Sequence, residues 1–497
     1  KKSSYKLIKE AGLVIDYKKQ FGAEHIRCIN DDIHSRIVGA PGSGKSRRIV
    51  IETAVSLALA GESIIVTDPK GELYGYLHLF LKNIGYDVQV MDFQNPEYSD
   101  RRNPLQLIID AVNNDDMTAA QTRAWDLTSF LVDKNDKGEP IWTNGEMSII
   151  AAAILCVVYD NKEHPEFQNL TNVYWFIANM CKDVKKGMST IKPIISYIGK
   201  LPDNHPAKSL LGIADVAPSK TAGSFYTSAL TTLRLFTAND IYNVTYKSDF
   251  SLSEIGKKKT ALFFILPDQK TTFYPVVTLF VSQLYDSLVD TAKENGGRLP
   301  VRTNFVLDEF GNFTKIAEFQ VKLAVGRSYG LRFNLFLQSF SQIASKYGKE
   351  DAETIKSNCQ AWIGLAVPDN ETAKEFEARM GEYTTTSYST GVSLQRYASP
   401  SNSSNISLIS RKLLMANEIM LIRQPYLLLS QLQQNPVIGN LPDLSQWSYN
   451  RMLGLGNKAH NIKFIMYSNS LRKRHEPEPV HLWKIWERFI PIIYNID

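Results

Sequence analysis

Eight short apolar runs punctuate the chain, at residues 36–39, 63–67, 88–93, 261–266, 304–307, 333–337, 361–367 and 426–429. Most of their positions are Val, Ile, Leu, Phe or Ala, with few polar interruptions. A strand that is apolar on both faces is one that packs on both faces. Segments with helical spacing lie between several of the runs. Buried strands alternating with helices predict a parallel-rich central sheet covered on both sides, an α/β architecture.

Residues 113–216 break that pattern. Ala, Met and aromatic residues recur there at helical spacing, no strand stands out, and His164-Pro165 and Pro202-Asp203 mark turns. The pattern predicts an all-α domain that divides the α/β part into 1–112 and 217–454, with 455–497 as a C-terminal tail. Residues 384–407, rich in Ser, Thr, Asn and Tyr, predict an exposed loop between two sheet elements. In the tail, Trp483, Trp486 and Phe489 fall at helical spacing and predict a helix docked on the body.

Composition narrows the reading. A chain of 497 residues exceeds what one core usually holds, and 44% hydrophobic with 22% charged residues is ordinary for a globular protein. The longest apolar run, 148–159, is shorter than the roughly 18 residues that span a bilayer and predicts a buried helix. Four scattered cysteines form no CxxC pair, which argues against a zinc site or a disulfide framework. The net charge of +5 permits a polyanionic partner without demanding one. Residues 113–216 hold 10 Lys and Arg against 13 Asp and Glu, so the basic excess lies on the α/β part.

The chemistry begins after the first run. Gly39-Ala40-Pro41-Gly42-Ser43-Gly44-Lys45-Ser46 matches the phosphate-binding P-loop and opens a helical stretch. Its backbone N–H groups and the helix N-terminus suit a phosphate, Lys45 reaches the β- and γ-phosphates, and the Ser46 hydroxyl serves Mg²⁺. ATP or GTP is the ligand expected. The fifth run ends in Asp308-Glu309. Asp308 is the expected metal partner and Glu309 the expected base that activates water. Capping the next element is the plainer reading of both carboxylates. Arg327 lies between Gly326 and Gly330, and Gln338 ends the sixth run. Arg327 reads either as a solvated surface residue or as a group reaching a neighbouring subunit's γ-phosphate. Gln338 reads either as a strand-end cap or as a phosphate sensor. Asp68 and Lys70 follow the second run and are second-rank site candidates.

Together these pieces resemble the type IV secretion coupling proteins, the TraG/TraD-type conjugation ATPases. The resemblance is carried by Gly39 to Ser46, by Thr67-Asp68-Pro69-Lys70-Gly71-Glu72 and by Asn103-Pro104-Leu105. Further matches are Pro218 to Ser224, Leu307 to Asn312, Gly326 to Gly330, Leu337-Gln338-Ser339 and Arg411-Lys412-Leu413-Leu414. It implies a RecA-like P-loop NTPase domain interrupted by an all-α domain that recognises substrate or DNA, with ATP and Mg²⁺ as cofactors. It also implies a homo-hexamer at the cytoplasmic face of the bacterial membrane, held by an N-terminal anchor absent from this sequence, the fragment itself being soluble. The implied partners are single- or double-stranded DNA, the relaxase with its accessory relaxosome proteins, and secretion-channel components. By motif position Arg327 corresponds to the family's trans-acting arginine and Gln338 to its phosphate-contacting glutamine. Two alternatives stand beside this reading: a double-stranded DNA translocase of the division or packaging type, which shares the motor core, and, in a different class, a low-turnover receptor for protein substrates. DNA contacts are expected from local clusters such as Lys182, Lys185 and Lys186, while Lys257-Lys258-Lys259 predicts a solvated turn.

Overall fold

All eight apolar runs become strands of one sheet in the computed structural model, which describes residues 8–132, 140–186, 189–267, 269–393, 401–453 and 458–489. In chain order they are β1 (His34–Gly39), β2 (Ser63–Asp68), β3 (Asp87–Asp92), β4 (Thr260–Ile265), β5 (Thr303–Leu307), β6 (Leu331–Leu337), β7 (Cys359–Ala366) and β8 (Tyr426–Gln431). A ninth, β9 (Val437–Asn440), is too short to show a pattern. The order across the sheet is β9-β8-β7-β1-β6-β5-β2-β4-β3. The seven strands from β7 to β3 run parallel, and β8 and β9 extend the β7 edge antiparallel.

Both faces of the sheet are covered, as the uninterrupted apolar runs require. Successive side chains of a strand point to opposite faces. Ile37, Val66, Phe263, Val306 and Phe336 pack on one side, under the helices Ile51–Leu59 and Glu72–Asn83. Their chain neighbours Val38, Ile65, Phe264, Phe305 and Leu335 pack on the other, under the helices Tyr274–Glu294 and Phe319–Gly326.

Within 113–216 the helix Pro140–Tyr159 is the centre, buried nearly all round. Met117–Leu131, Leu170–Met180, Lys208–Val216 and Ser219–Leu233 pack against it. Three details depart from the sequence reading. A short hairpin, Val184–Lys186 with Ser189–Ile191, interrupts the helices. The helical packing also continues past 216, because Pro218 starts the next helix, Ser219–Leu233, and does not mark a linker. The same apolar cluster joins Ile150, Phe176 and Phe225 to the sheet residues Leu262 and Phe305. The apolar stretch is also longer than 148–159. Pro140–Tyr159 passes a membrane-span test by length and composition, with a mean hydropathy of 1.7, yet 78% of that window is buried inside the protein.

The described residues of 384–407 form strands rather than a loop. Glu382–Ser393 and Ser401–Lys412 pair over their whole length as an antiparallel ribbon, from Glu382↔Lys412 to Ser393↔Ser401. Neither face is buried, so no apolar alternation marks it; the signal was the β-favouring Thr384, Thr385, Thr386 and Tyr388. The tail docks, but largely without the expected helix. Trp483 stacks on Phe176 with ring centroids 5.7 Å apart, Phe489 meets Tyr197 edge-on at 5.7 Å, and only Ile485–Arg488 coils, as one 3₁₀ turn. Upstream, Pro477 and Pro479 favour an extended chain. The helix Lys458–Ser470 lies across Glu72–Asn83, with Ile465 over Gly75.

Candidate nucleotide site

The carboxyl ends of β1, β6, β5 and β2 form one rim of the sheet, and the candidate residues gather there. A cleft of about 420 Å³ is lined by Ala40 to Arg47, Asp68, Lys70, Tyr274, Asp308, Glu309, Asn312 and Gln338. The loop from Gly39 turns through Gly42 and Gly44, whose φ angles are +77° and +79°. A Cβ on Gly44 would also stand 2.9 Å from the Arg48 stem. Glycine is the residue that accepts both demands.

Lys45 is nearly buried and lies across the cleft floor. Its Nζ donates to the Gly39 carbonyl at 3.0 Å and to the Leu337 carbonyl at 3.5 Å, and stands 3.6 Å from Glu309 Oε1. The Ser46 hydroxyl donates to Asp308 Oδ2 at 3.4 Å. Gln338 Nε2 donates to Glu309 Oε2 at 3.0 Å, and its backbone N–H donates to Gln342 Oε1 at 2.9 Å. Because β6 lies between β1 and β5, Gln338 stands between the P-loop and the acidic pair. Glu309 itself has φ +52°, a left-handed conformation that costs a non-glycine residue about 1 kcal/mol and is typical of functional turns.

Three buried or half-buried carboxylates crowd this rim. Burial, with Glu309 alongside, raises the Asp308 carboxyl to about 6 against the pull of Lys45. Burial raises Asp68 to about 7, although the Tyr74 N–H donates to its Oδ2 at 2.8 Å. The Thr67 hydroxyl donates to the Asp308 carbonyl at 2.8 Å and ties β2 to β5. Ser46 and Asp308 thus converge as hard oxygen donors, the set Mg²⁺ takes when it keeps most of its waters. A cation there would lower both raised carboxyls.

Arg327 is not in this cleft. It precedes β6 and sits at the amino ends of the strands, where its Nε donates to the Asp32 carbonyl at 2.8 Å. The seven residues of β6 separate that edge from Gln338, roughly 23 Å at the usual rise, beyond the reach of one side chain.

Sequence reasoning missed Arg47 and Arg48. Arg48 is buried and donates to the carbonyls of Leu441 (2.8 Å), Ser43 (3.2 Å), Pro425 (2.7 Å) and Tyr426 (2.9 Å). Arg47 forks onto Asp443 at 2.8 and 2.9 Å, which holds that carboxyl down at about 2. Together they clamp β8 and residues 441–443 to the P-loop helix. The only sequence signal was two arginines directly after Ser46, and nothing local pointed to residues 425–443 as their partners. Tyr274 also lines the cleft without a motif to announce it, and Asn312, the last residue of the Leu307 to Asn312 motif, lines it too.

The basic clusters divide. Lys182 is exposed, while the side chains of Lys185 and Lys186 lie outside the described residues. Lys258 pairs with Asp87 at 3.0 Å and Lys259 donates to the Ile84 carbonyl at 2.6 Å, so those two lysines are tied to the β3 edge.

A family model described as type IV secretory system conjugative DNA transfer matches residues 2–441. The type IV secretion system-coupling protein VirD4 of Bartonella henselae is 22% identical over 398 residues, which cover 78% of this chain and 58% of that protein. The conjugal transfer protein TraG of Rhizobium radiobacter is 22% identical over 420 residues, 82% of this chain and 62% of that one. The chain therefore spans less than two thirds of the length of these relatives. Among solved structures, the unbound bacterial conjugative coupling protein TrwBdeltaN70 matches with a TM-score of 0.62 at 16% identity, over 89% of this chain and 90% of that one. TrwB in complex with ADP and Mg²⁺ matches with a TM-score of 0.61 at 17% identity, over 84% and 86%. At such identities the likeness is one of fold, a RecA-like P-loop NTPase with a large, mostly parallel sheet. By the extent of the family match, the chain belongs to the type IV secretory system conjugative DNA transfer family.

Proposed function

We propose that the chain is the ATPase of a coupling protein in a conjugative type IV secretion system, which recruits relaxase-bound DNA and drives or licenses its passage to the secretion channel. The observation that carries this reading is the convergence of Lys45, Ser46, Asp308, Glu309 and Gln338 on one cleft while Arg327 faces the opposite edge. TrwB, a relative in fold, has been solved with ADP and Mg²⁺ and with an ATP analogue. In this chain the amides of Gly39 to Ser46 would cradle the phosphates, and Lys45 would leave Glu309 for the γ-phosphate. Glu309, released, would orient and deprotonate the attacking water, and Gln338 would exchange its bond to Glu309 for one to the γ-phosphate. Ser46 and Asp308 would hold Mg²⁺, which supplies charge neutralisation on the phosphates. Arg327 would serve the next subunit of a homo-hexameric ring, where a guanidinium fork meets the charge on the γ-phosphoryl group.

Residues 113–216, slightly acidic overall, are proposed to receive the substrate through docking of relaxosome proteins rather than through phosphate attraction. That acidity also keeps the low-turnover receptor of protein substrates as the second reading. ATP turnover, measured with and without single-stranded DNA across a series of protein concentrations, separates them. A motor's specific activity rises with both. Turnover indifferent to DNA and to concentration would sink the motor reading.

A further inference from the structure

The tip of the first hairpin carries a residue that the fold neither packs nor shelters. Strands Leu13–Gln20 and Ala23–Ile29 pair antiparallel down to Gln20↔Ala23, which leaves Phe21 and Gly22 as the turn. Their φ angles are +51° and +81°, the backbone of a type I′ turn. Gly22 adopts it freely. A phenylalanine there is strained, where Asn or Asp would be the ordinary choice. Phe21 is also 98% exposed, against 74% for Leu408, another strongly exposed apolar side chain. Strain and exposure are both unfavourable in the isolated fold, and among the described residues Phe21 is left almost fully open to solvent.

The surroundings of the tip point to the partner's chemistry. Lys18, Lys19 and His25 are exposed beside it, while Arg27, farther down the hairpin, stands 3.9 Å from Asp16. The acid beside the tip, Glu24, is turned inward, accepting from the Tyr17 hydroxyl at 2.7 Å and the Ser448 hydroxyl at 2.6 Å. The base of the hairpin is firm: Tyr17 packs on Trp447 at 4.4 Å, and Asp16 accepts the Asn440 N–H at 2.8 Å. The result is a fully exposed aromatic tip flanked by two lysines and held on a stiff base.

We propose that this tip is a membrane wedge. Phe21 enters the headgroup–acyl boundary of an anionic bilayer, and Lys18 and Lys19 meet the lipid phosphates. A convex tip favours a bilayer, which deforms around an inserted side chain and needs no matching recess. Single-stranded nucleic acid is instead bound along a basic groove with several stacking rings, and a hairpin tip with one ring offers no such track. The inference is independent of the nucleotide reading.

The test uses the full chain with vesicles of phosphatidylcholine alone or mixed with phosphatidylglycerol. Flotation should occur only with the mixed vesicles and weaken in high salt. Phe21→Ser should lower partitioning about tenfold, and Lys18→Gln with Lys19→Gln by a similar factor. In Phe21→Trp, brominated acyl chains should quench emission beyond the level in the native chain. Turnover of ATP without vesicles should be the same in Phe21→Ser as in the native chain, so a failed wedge leaves the nucleotide site standing. Equal binding by native and variant chains, no binding to either vesicle, or quenching of Phe21→Trp by an oligonucleotide and not by lipid would each overturn the proposal.

Discussion

The two edges of the central sheet are built for different purposes. At the carboxyl edge, loops from three adjacent strands bring together a lysine, two adjacent acids, a hydroxyl and an amide, linked by contacts of 3.0 to 3.6 Å. At the amino edge, Arg327 is held against the Asp32 carbonyl, beside the Arg298–Asp32 ion pair. Strand β6 connects the two: Arg327 precedes its start and Gln338 follows its end. The carboxyl edge gathers the groups proposed to hold a triphosphate, and Arg327 stands at the opposite edge, beyond the reach of that cleft. On the proposed reading a single subunit holds parts of two sites, and a head-to-tail ring is the closed arrangement that would join them.

The comparison breaks most sharply at Lys45. Lys45→Ala removes the charge that meets the β- and γ-phosphates, and turnover should fall to background, at least about 10³-fold, with the fold retained by circular dichroism. Near-native turnover by the folded variant would remove the carboxyl-edge site. Gln338→Ala should lower kcat about 10- to 100-fold with little change in nucleotide affinity, because the contact strengthens only as the γ-phosphate is engaged. An effect on affinity alone would return Gln338 to a strand cap. The smallest effect is on stability. The folded Asp308 carboxyl, at about 6, lies above its ordinary value, so the folded chain binds a proton more readily than the unfolded chain. Its contribution is fully favourable below about pH 4 and is lost as pH rises through about 6. Asp308→Asn should therefore stabilise the nucleotide-free protein by on the order of 2–3 kcal/mol at pH 8 and by little near pH 4. Urea melts of the two proteins across pH measure this, and parallel curves would contradict it.

The carboxyl edge was largely legible in the sequence. Uninterrupted apolar runs mark strands buried on both faces, and a P-loop must stand at the end of one of them. Once the sheet is parallel, Asp308 and Gln338 follow to the same rim. Strand order was not legible, and it is the order that places Gln338 between Lys45 and Glu309. The ribbon Glu382–Ser393 with Ser401–Lys412 was hidden because hydrophobic alternation marks only a strand with a buried face. The limits of the helical region were blurred because Pro218 reads equally as a linker or as a helix start. The Arg48 clamp on carbonyls of residues 425–441 was out of reach, since backbone acceptors have no residue signature.

The division of one site between two chains is tested most directly by mixing two inactive variants. Arg327→Ala alone should keep nucleotide binding and lose turnover by about 10³-fold, and Lys45→Ala alone should be inactive. Mixed at concentrations that favour the ring, they form some interfaces that pair an intact P-loop with an intact arginine. Turnover should then reappear, peak near equal proportions and vanish on dilution. A mixture as inactive as its components, or an Arg327→Ala chain that hydrolyses ATP at the native rate, would contradict the account.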